Sequence, residues 1–151
     1  MIKRSLIALT IVTAFTSVPL LHAGSPEQEK TFVETYRKAL EAKDTKTLES
    51  FLYTKGADAM VLGFYKEMQA NDAGKKISSI ELVNLTPEEV KDAAKPKDGP
   101  SGKLALALKP SKKLVIKIST SDANGSSNAT SEVFIAEADG KFVIPVPGPA
   151  K

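Results

Sequence analysis

The chain has 151 residues, no Cys, a single His at position 22, and 21 Lys plus Arg against 18 Asp plus Glu, a formal net charge of +3. With no Cys, a disulfide framework, a thiol nucleophile and soft-ligand zinc or copper sites are excluded. Beyond His22 a Ser-His-Asp arrangement is excluded as well.

Lys3 and Arg4 precede the apolar stretch LIALTIVTAFTSVPLL, and LHAG follows with Leu21 and Ala23 where a signal peptidase reads. A basic n-region, an apolar h-region and a small residue at the cut predict a secretory signal peptide over residues 1–23. Cleavage would fall between Ala23 and Gly24, releasing one domain over residues 24–151 to the periplasm or beyond the cell. The apolar stretch is shorter than the roughly 20 residues a spanning helix needs, so no stable membrane insertion is expected after cleavage. An uncleaved anchor is the alternative. No Cys follows the h-region, which excludes lipid-anchored export. Loss of Lys3 and Arg4 leaves 19 basic against 18 acidic residues. The lysines lie in small groups with no aromatic side chains between them, as in Lys75-Lys76 and Lys112-Lys113. That pattern is a solvated surface and not a nucleic-acid interface.

Three helices come first. Ser25 is the N-cap of a helix with Pro26 at its first position and Gln28 completing a capping box. Phe32, Val33, Tyr36 and Leu40 recur on one stripe of it. Asp44 ends that helix and caps a second, TKTLESFLYTKG, with Leu48, Phe51 and Leu52 on its apolar face and Gly56 as its stop. Asp58 caps a third, AMVLGFYKEMQAND, with Val61, Phe64, Tyr65 and Met68 on one side.

After Gly74 the apolar period changes from helical to alternating. KISSIELVNL reads as a strand, and Thr86, Pro87 and Glu89 predict a short further helix ending before Pro96. PKDGPSG reads as a loop. KLALALK and KLVIKIST read as strands joined by PSK, with Leu108, Leu106 and Leu104 expected opposite Leu114, Ile116 and Ile118. DANGSSNATSE has an alternation like a calcium loop, but Ser127 and Val133 stand where Gly and Glu are required, so it reads as a flexible hairpin loop. Asn124 and Asn128 also fit the glycosylation pattern. In EVFIAEADGKFVIPVP a two-residue Asp139-Gly140 turn pairs Ala138 with Lys141. That register puts Val133, Ile135, Phe142, Ile144 and Val146 on a core face. Phe134, Ala136, Ala138, Val143 and Pro145 fall on the other.

The expected fold class is α+β: three N-terminal helices packed on one face of a curved antiparallel sheet of four to five strands. The helix after SPEQ, AKDTKTLESFL, FYKEMQ and the closing EADGKFVIPVP together resemble the nuclear-transport-factor-2-like (SnoaL-like, cystatin-related) cone, in particular its small exported bacterial members. The resemblance extends over nearly all of residues 24–151. It implies a cone-shaped cavity between helices and sheet, used by some relatives for catalysis and by many for binding. It also implies dimerisation through the outer sheet face. The short helix after Thr86 is an addition to that pattern and bears on strand order.

Tyr36 and Tyr65 sit on apolar helix stripes and could face such a cavity; core tyrosines with a hydroxyl at the rim are the alternative. Arg37 could meet a carboxylate at a cavity mouth, or pair with Glu41 one turn on. No motif assigns any of them a catalytic role, and no cofactor or metal is expected. The reading is an exported, non-catalytic binding or scaffold domain with a small-molecule ligand. The alternative is a small lyase or isomerase using a buried Asp or Glu with a tyrosine, for which Glu34 and Glu67 are solvent-facing on the helical spacing. A homodimer through the outer sheet face is expected to centre on Phe134, with Ala136 and Val143 beside it. With no His beyond position 22 and no Cys, stability should be nearly flat between about pH 6 and 8, the new amino terminus being the main exception.

Overall fold

The structure is a computed structural model that describes residues 24–122 and 125–150. The expected signal peptide, with Ala23, and Asn124 lie outside the described residues; Gly24 is exposed at the start of the first helix.

Helix α1 spans Pro26–Glu41 with the capping box formed at Ser25 and Gln28, and it buries Phe32, Tyr36, Ala39 and Leu40. A tight turn, with Lys43 at φ 56°, leads to Asp44, which caps helix α2. That helix is shorter than its apolar pattern predicts. It covers Thr45–Ser50 only, and Leu52–Tyr53 form strand β1. The helix yields because β1 pairs in parallel with a distant strand, where Ile144 donates its N–H to the Phe51 carbonyl at 2.7 Å. Helix α3, Ala59–Asp72, is capped by Asp58 as predicted. Its covered stripe runs through Val61, Leu62, Tyr65 and Gln69, a line that turns Phe64 outward to 63% exposure and corrects its expected place in the core.

Strand β2, Ile77–Asn84, is followed by helix α4, Pro87–Ala93, with a second capping box at Thr86 and Glu89. The predicted loop after it contains a short hairpin, since β3 (Lys97–Gly99) pairs with β4 (Gly102–Leu106). Strand β4 does not pair with β5 (Lys112–Asp122), so the expected Leu108–Leu114 hairpin is absent. A strand has two edges, and both edges of β5 are taken, by β2 and by β6 (Gly125–Ala138). Residues 125–131, read as a loop, are ladder: Ile118 faces Ala129 and Asp122 faces Gly125. The Asp139-Gly140 turn forms as predicted, pairing Ala138 with Lys141 at the start of β7 (Lys141–Pro145). Both turn residues have positive φ, 50° and 71°, which Gly140 adopts without strain. Strand β8, Pro147–Pro149, closes the chain.

The result is a mixed fold with a five-stranded sheet, order β1-β7-β6-β5-β2, and a three-stranded sheet, order β3-β4-β8. One face of the larger sheet presents Ile80, Leu114, Ile116, Val133, Ile135, Phe142 and Ile144 to Phe32, Tyr36, Leu40 and Leu48 of the first two helices. A register shift between Ile77 and Ser79 lets Ile77 and Ile80 share that face despite their odd spacing.

Two adjacent lysines tie helices to opposite faces of β5. Lys112 reaches Glu29 of α1 at 2.8 Å, and Lys113 reaches Glu89 of α4 at 2.7 Å. The face expected to lie open therefore carries α4. On that face Ala136 is fully buried and Pro145 nearly so.

Candidate functional site

The predicted cavity residues do not come together. Tyr36 is 2% exposed and packs among Phe32 and Phe51, with ring centroids at 6.1 and 5.4 Å. Burial pushes its phenol pKa up. Gln69 donates its Nε2 hydrogens to the Tyr36 hydroxyl at 3.4 Å and to the Leu48 carbonyl at 3.0 Å, while its Oε1 has no partner. The void beside them is only about 10 Å³. Arg37 lies on the outer side of α1, 3.6 Å from Glu41, the alternative that its spacing allowed. Tyr65 faces a different recess, which Phe134 also lines. The outer-face trio also separates. Phe134 lines that recess, Val143 lines a groove elsewhere, and Ala136 is inaccessible to any partner.

The groove is the larger feature, about 810 Å³, between α1, α2 and the β6–β7 turn. That volume lies within the range of roughly 300–1,000 Å³ usual for small-molecule sites. Its floor is aromatic: Phe32 meets Phe51 edge-on at 5.2 Å and Phe142 at 5.5 Å. Its walls carry hydroxyls from Thr31, Thr35, Thr47 and Ser50. Thr31 and Thr35 are one helical turn apart beside Phe32, so a single face of α1 supplies both. Every one of these hydroxyls has committed its proton. Thr31 donates to the Glu27 carbonyl at 2.9 Å, Thr35 to the Thr31 carbonyl at 2.7 Å, Thr47 to the Asp44 carboxylate at 2.6 Å and Ser50 to the Thr47 carbonyl at 2.6 Å. What they have left is acceptor capacity. Sequence reasoning passed over this wall because Ser and Thr on a polar helix face read as solvated surface. The signal available was the Thr31–Phe32–Thr35 grouping.

The second recess, about 190 Å³, lies on the other face of the large sheet, between the end of α4, β4 and Phe134. Leu104 and Ala93 are buried in its wall. Lys95 and Lys97 stand at it, both directed at Asp92, at 3.8 and 2.8 Å.

Among the described residues, no group of three or more His, Cys, Asp or Glu could hold a metal ion, and no helix is long and apolar enough to cross a membrane. Every carboxylate with a displaced pKa moves down. Thr47 holds Asp44 low, the Val61 amide holds Asp58, and Lys97 holds Asp92. Glu89 falls to about 2, first through the hydrogen bond from Lys113 and then through the Thr86 amide. Glu34 and Glu67 are exposed.

Neither a protein-family model nor a curated relative matches the sequence. Among solved structures, the chain is similar to the helical cell shape determining protein Pgp2 from Campylobacter jejuni, at 14% identity and a TM-score of 0.40. The match covers 76% of this chain and 37% of that one, so this chain spans little more than a third of its length.

Proposed function

We propose that this chain is an exported, non-catalytic binding or scaffold domain of the nuclear-transport-factor-2-like kind, with helices on one face of a curved sheet and a small molecule held in the groove between α1, α2 and the β6–β7 turn. The observation that carries this reading is the groove itself. An aromatic floor under walls of committed hydroxyls offers stacking surface and hydrogen-bond acceptors, which suits a ligand rich in donors, such as a polyol, a sugar or an amine. The lyase or isomerase reading needs a carboxylate whose pKa burial has raised, and the displaced carboxylates run the other way.

Native mass spectrometry of protein purified from its own cell envelope tests the proposal. The expected result is a polypeptide beginning at Gly24 with a bound small-molecule adduct that Thr35→Lys removes. Retention of Met1 would overturn export. Absence of an adduct, or an adduct indifferent to Thr35→Lys, would overturn binding in the groove.

A further inference from the structure

We propose that the recess between α4, β4 and Phe134 is a second and separate site, which takes a small apolar monocarboxylate: a single-ring or short branched-chain acid. Size sets the first limit. The recess holds about 190 Å³, close to the roughly 150 Å³ apolar cavity that accommodates benzene and below the range of drug-sized sites. One ring fills it.

The walls set the second limit. Tyr65 and Phe134 bring aromatic surface from α3 and β6, and Leu104, Leu106 and Ala105 bring aliphatic surface from β4. A ligand body must therefore be apolar, because a buried polar group would lose its water without a partner here.

The mouth sets the third. Lys95, Lys97 and Asp98 line it, and the two lysines share Asp92 while Asp98 pairs with Lys103. Lys97 holds Asp92 Oδ2 at 2.8 Å and Lys103 holds Asp98 at 3.2 Å, which leaves Lys95 with a long 3.8 Å contact to the other Asp92 oxygen. Its side chain is 70% exposed and free to turn to a new anion. One cationic charge in excess beside an apolar hole selects a monoanion with an apolar body. The aromatic groove on the opposite side of the sheet is walled by hydroxyls with committed protons and balances Lys141 with Glu27, so it carries no such excess of cation. The two sites therefore take different chemistry.

Sodium benzoate, with benzyl alcohol as its neutral counterpart, tests the assignment by two-dimensional amide NMR of the purified protein. Saturable benzoate shifts are expected in residues 93–106 and at Phe134, with benzyl alcohol roughly tenfold weaker for want of the charge-assisted contact. The surface double variant Lys95→Gln/Lys97→Gln should weaken benzoate at least several-fold and leave benzyl alcohol as it was. Ala105→Leu should fill the recess and abolish the benzoate shifts; if that variant folds poorly, the lysine variant decides alone. No saturable shifts, shifts confined to the groove, equal affinity for the two probes, or a double variant that binds benzoate unchanged would each overturn the proposal.

Discussion

Gln69 is the one fully buried polar side chain among the described residues, and it holds the middle of α3 against the first two helices. Its Nε2 donates to the Leu48 carbonyl at 3.0 Å, which also accepts the Phe51 N–H at 3.2 Å, so the side chain ties α3 to the end of α2. Gln69→Ala should therefore cost about 1–3 kcal/mol, combining a lost buried hydrogen bond with a small cavity. Tyr36→Phe removes only a long 3.4 Å contact and should change stability by less than about 1 kcal/mol. Urea unfolding of both variants distinguishes the two. If Tyr36→Phe proves the more damaging change, its hydroxyl has a role beyond packing. Tyr36 and Tyr65 also show where helical spacing stops being informative. Both lie on apolar stripes, yet one is sealed in the core and the other borders a recess. Which of them keeps access depends on what packs across the stripe, and that is not a local property of α1 or α3.

The helices were legible because their signals are local: a cap, a first-turn Pro and a box residue within four positions, as at Ser25 and Thr86. The closing hairpin was legible for the same reason, through Asp139-Gly140. Partner choice between strands was not. Leu104 and Leu106 alternate as well as Leu114 and Ile116 do, and nothing in that alternation says that β2 would claim the edge of β5. The groove escaped notice because its walls come from two helices and a turn that are distant in sequence. Helix α4 has a pH dependence of its own. Glu89 titrates near 2 in the folded chain against an ordinary 4.5. Because the folded value is the lower one, its pairing with Lys113 stabilises the docked helix above about pH 4.5, and that contribution fades as pH falls toward 2. Amide NMR across that window should show residues 87–93 loosening before α1 does. Glu89→Gln should remove most of the difference, and simultaneous loss of both helices would show that α4 is not separately anchored. Between pH 6 and 8 none of the displaced groups titrates, consistent with a flat stability profile there.

For the molecule as a whole, the second sheet and α4 change the expectation for assembly. With Ala136 inaccessible, a homodimer through the outer face would have to rest on Phe134 and Val143, which are half-buried. The chain is expected to be monomeric in light scattering at high micromolar concentration. A dimer dissolved by Val143→Asp would restore that face as an interface. The C-terminal strand is the second whole-molecule feature. Gly148 lies against the Gly56 carbonyl with no space for a methyl group, while Asp58 donates to the Pro147 carbonyl at 2.9 Å. Gly148→Ala should displace β8 from the Gly56–Ala57 backbone and lower stability by about 1–3 kcal/mol, read as a lower urea midpoint. An unchanged midpoint would mean that β8 contributes little to the fold.

Val146 alone separates the strand that completes the large sheet from the strand that completes the small one. Leu52 waits for Ile144, and Leu104 for Pro149, so both sheets take their last strand from the same final stretch of chain. Pairings that span so much sequence close late and slowly. Until residues 141–150 emerge from the ribosome, neither sheet can be completed, and the earlier chain must persist with open edges. Ordering of the two sheets should therefore appear in refolding as one concerted, slow event.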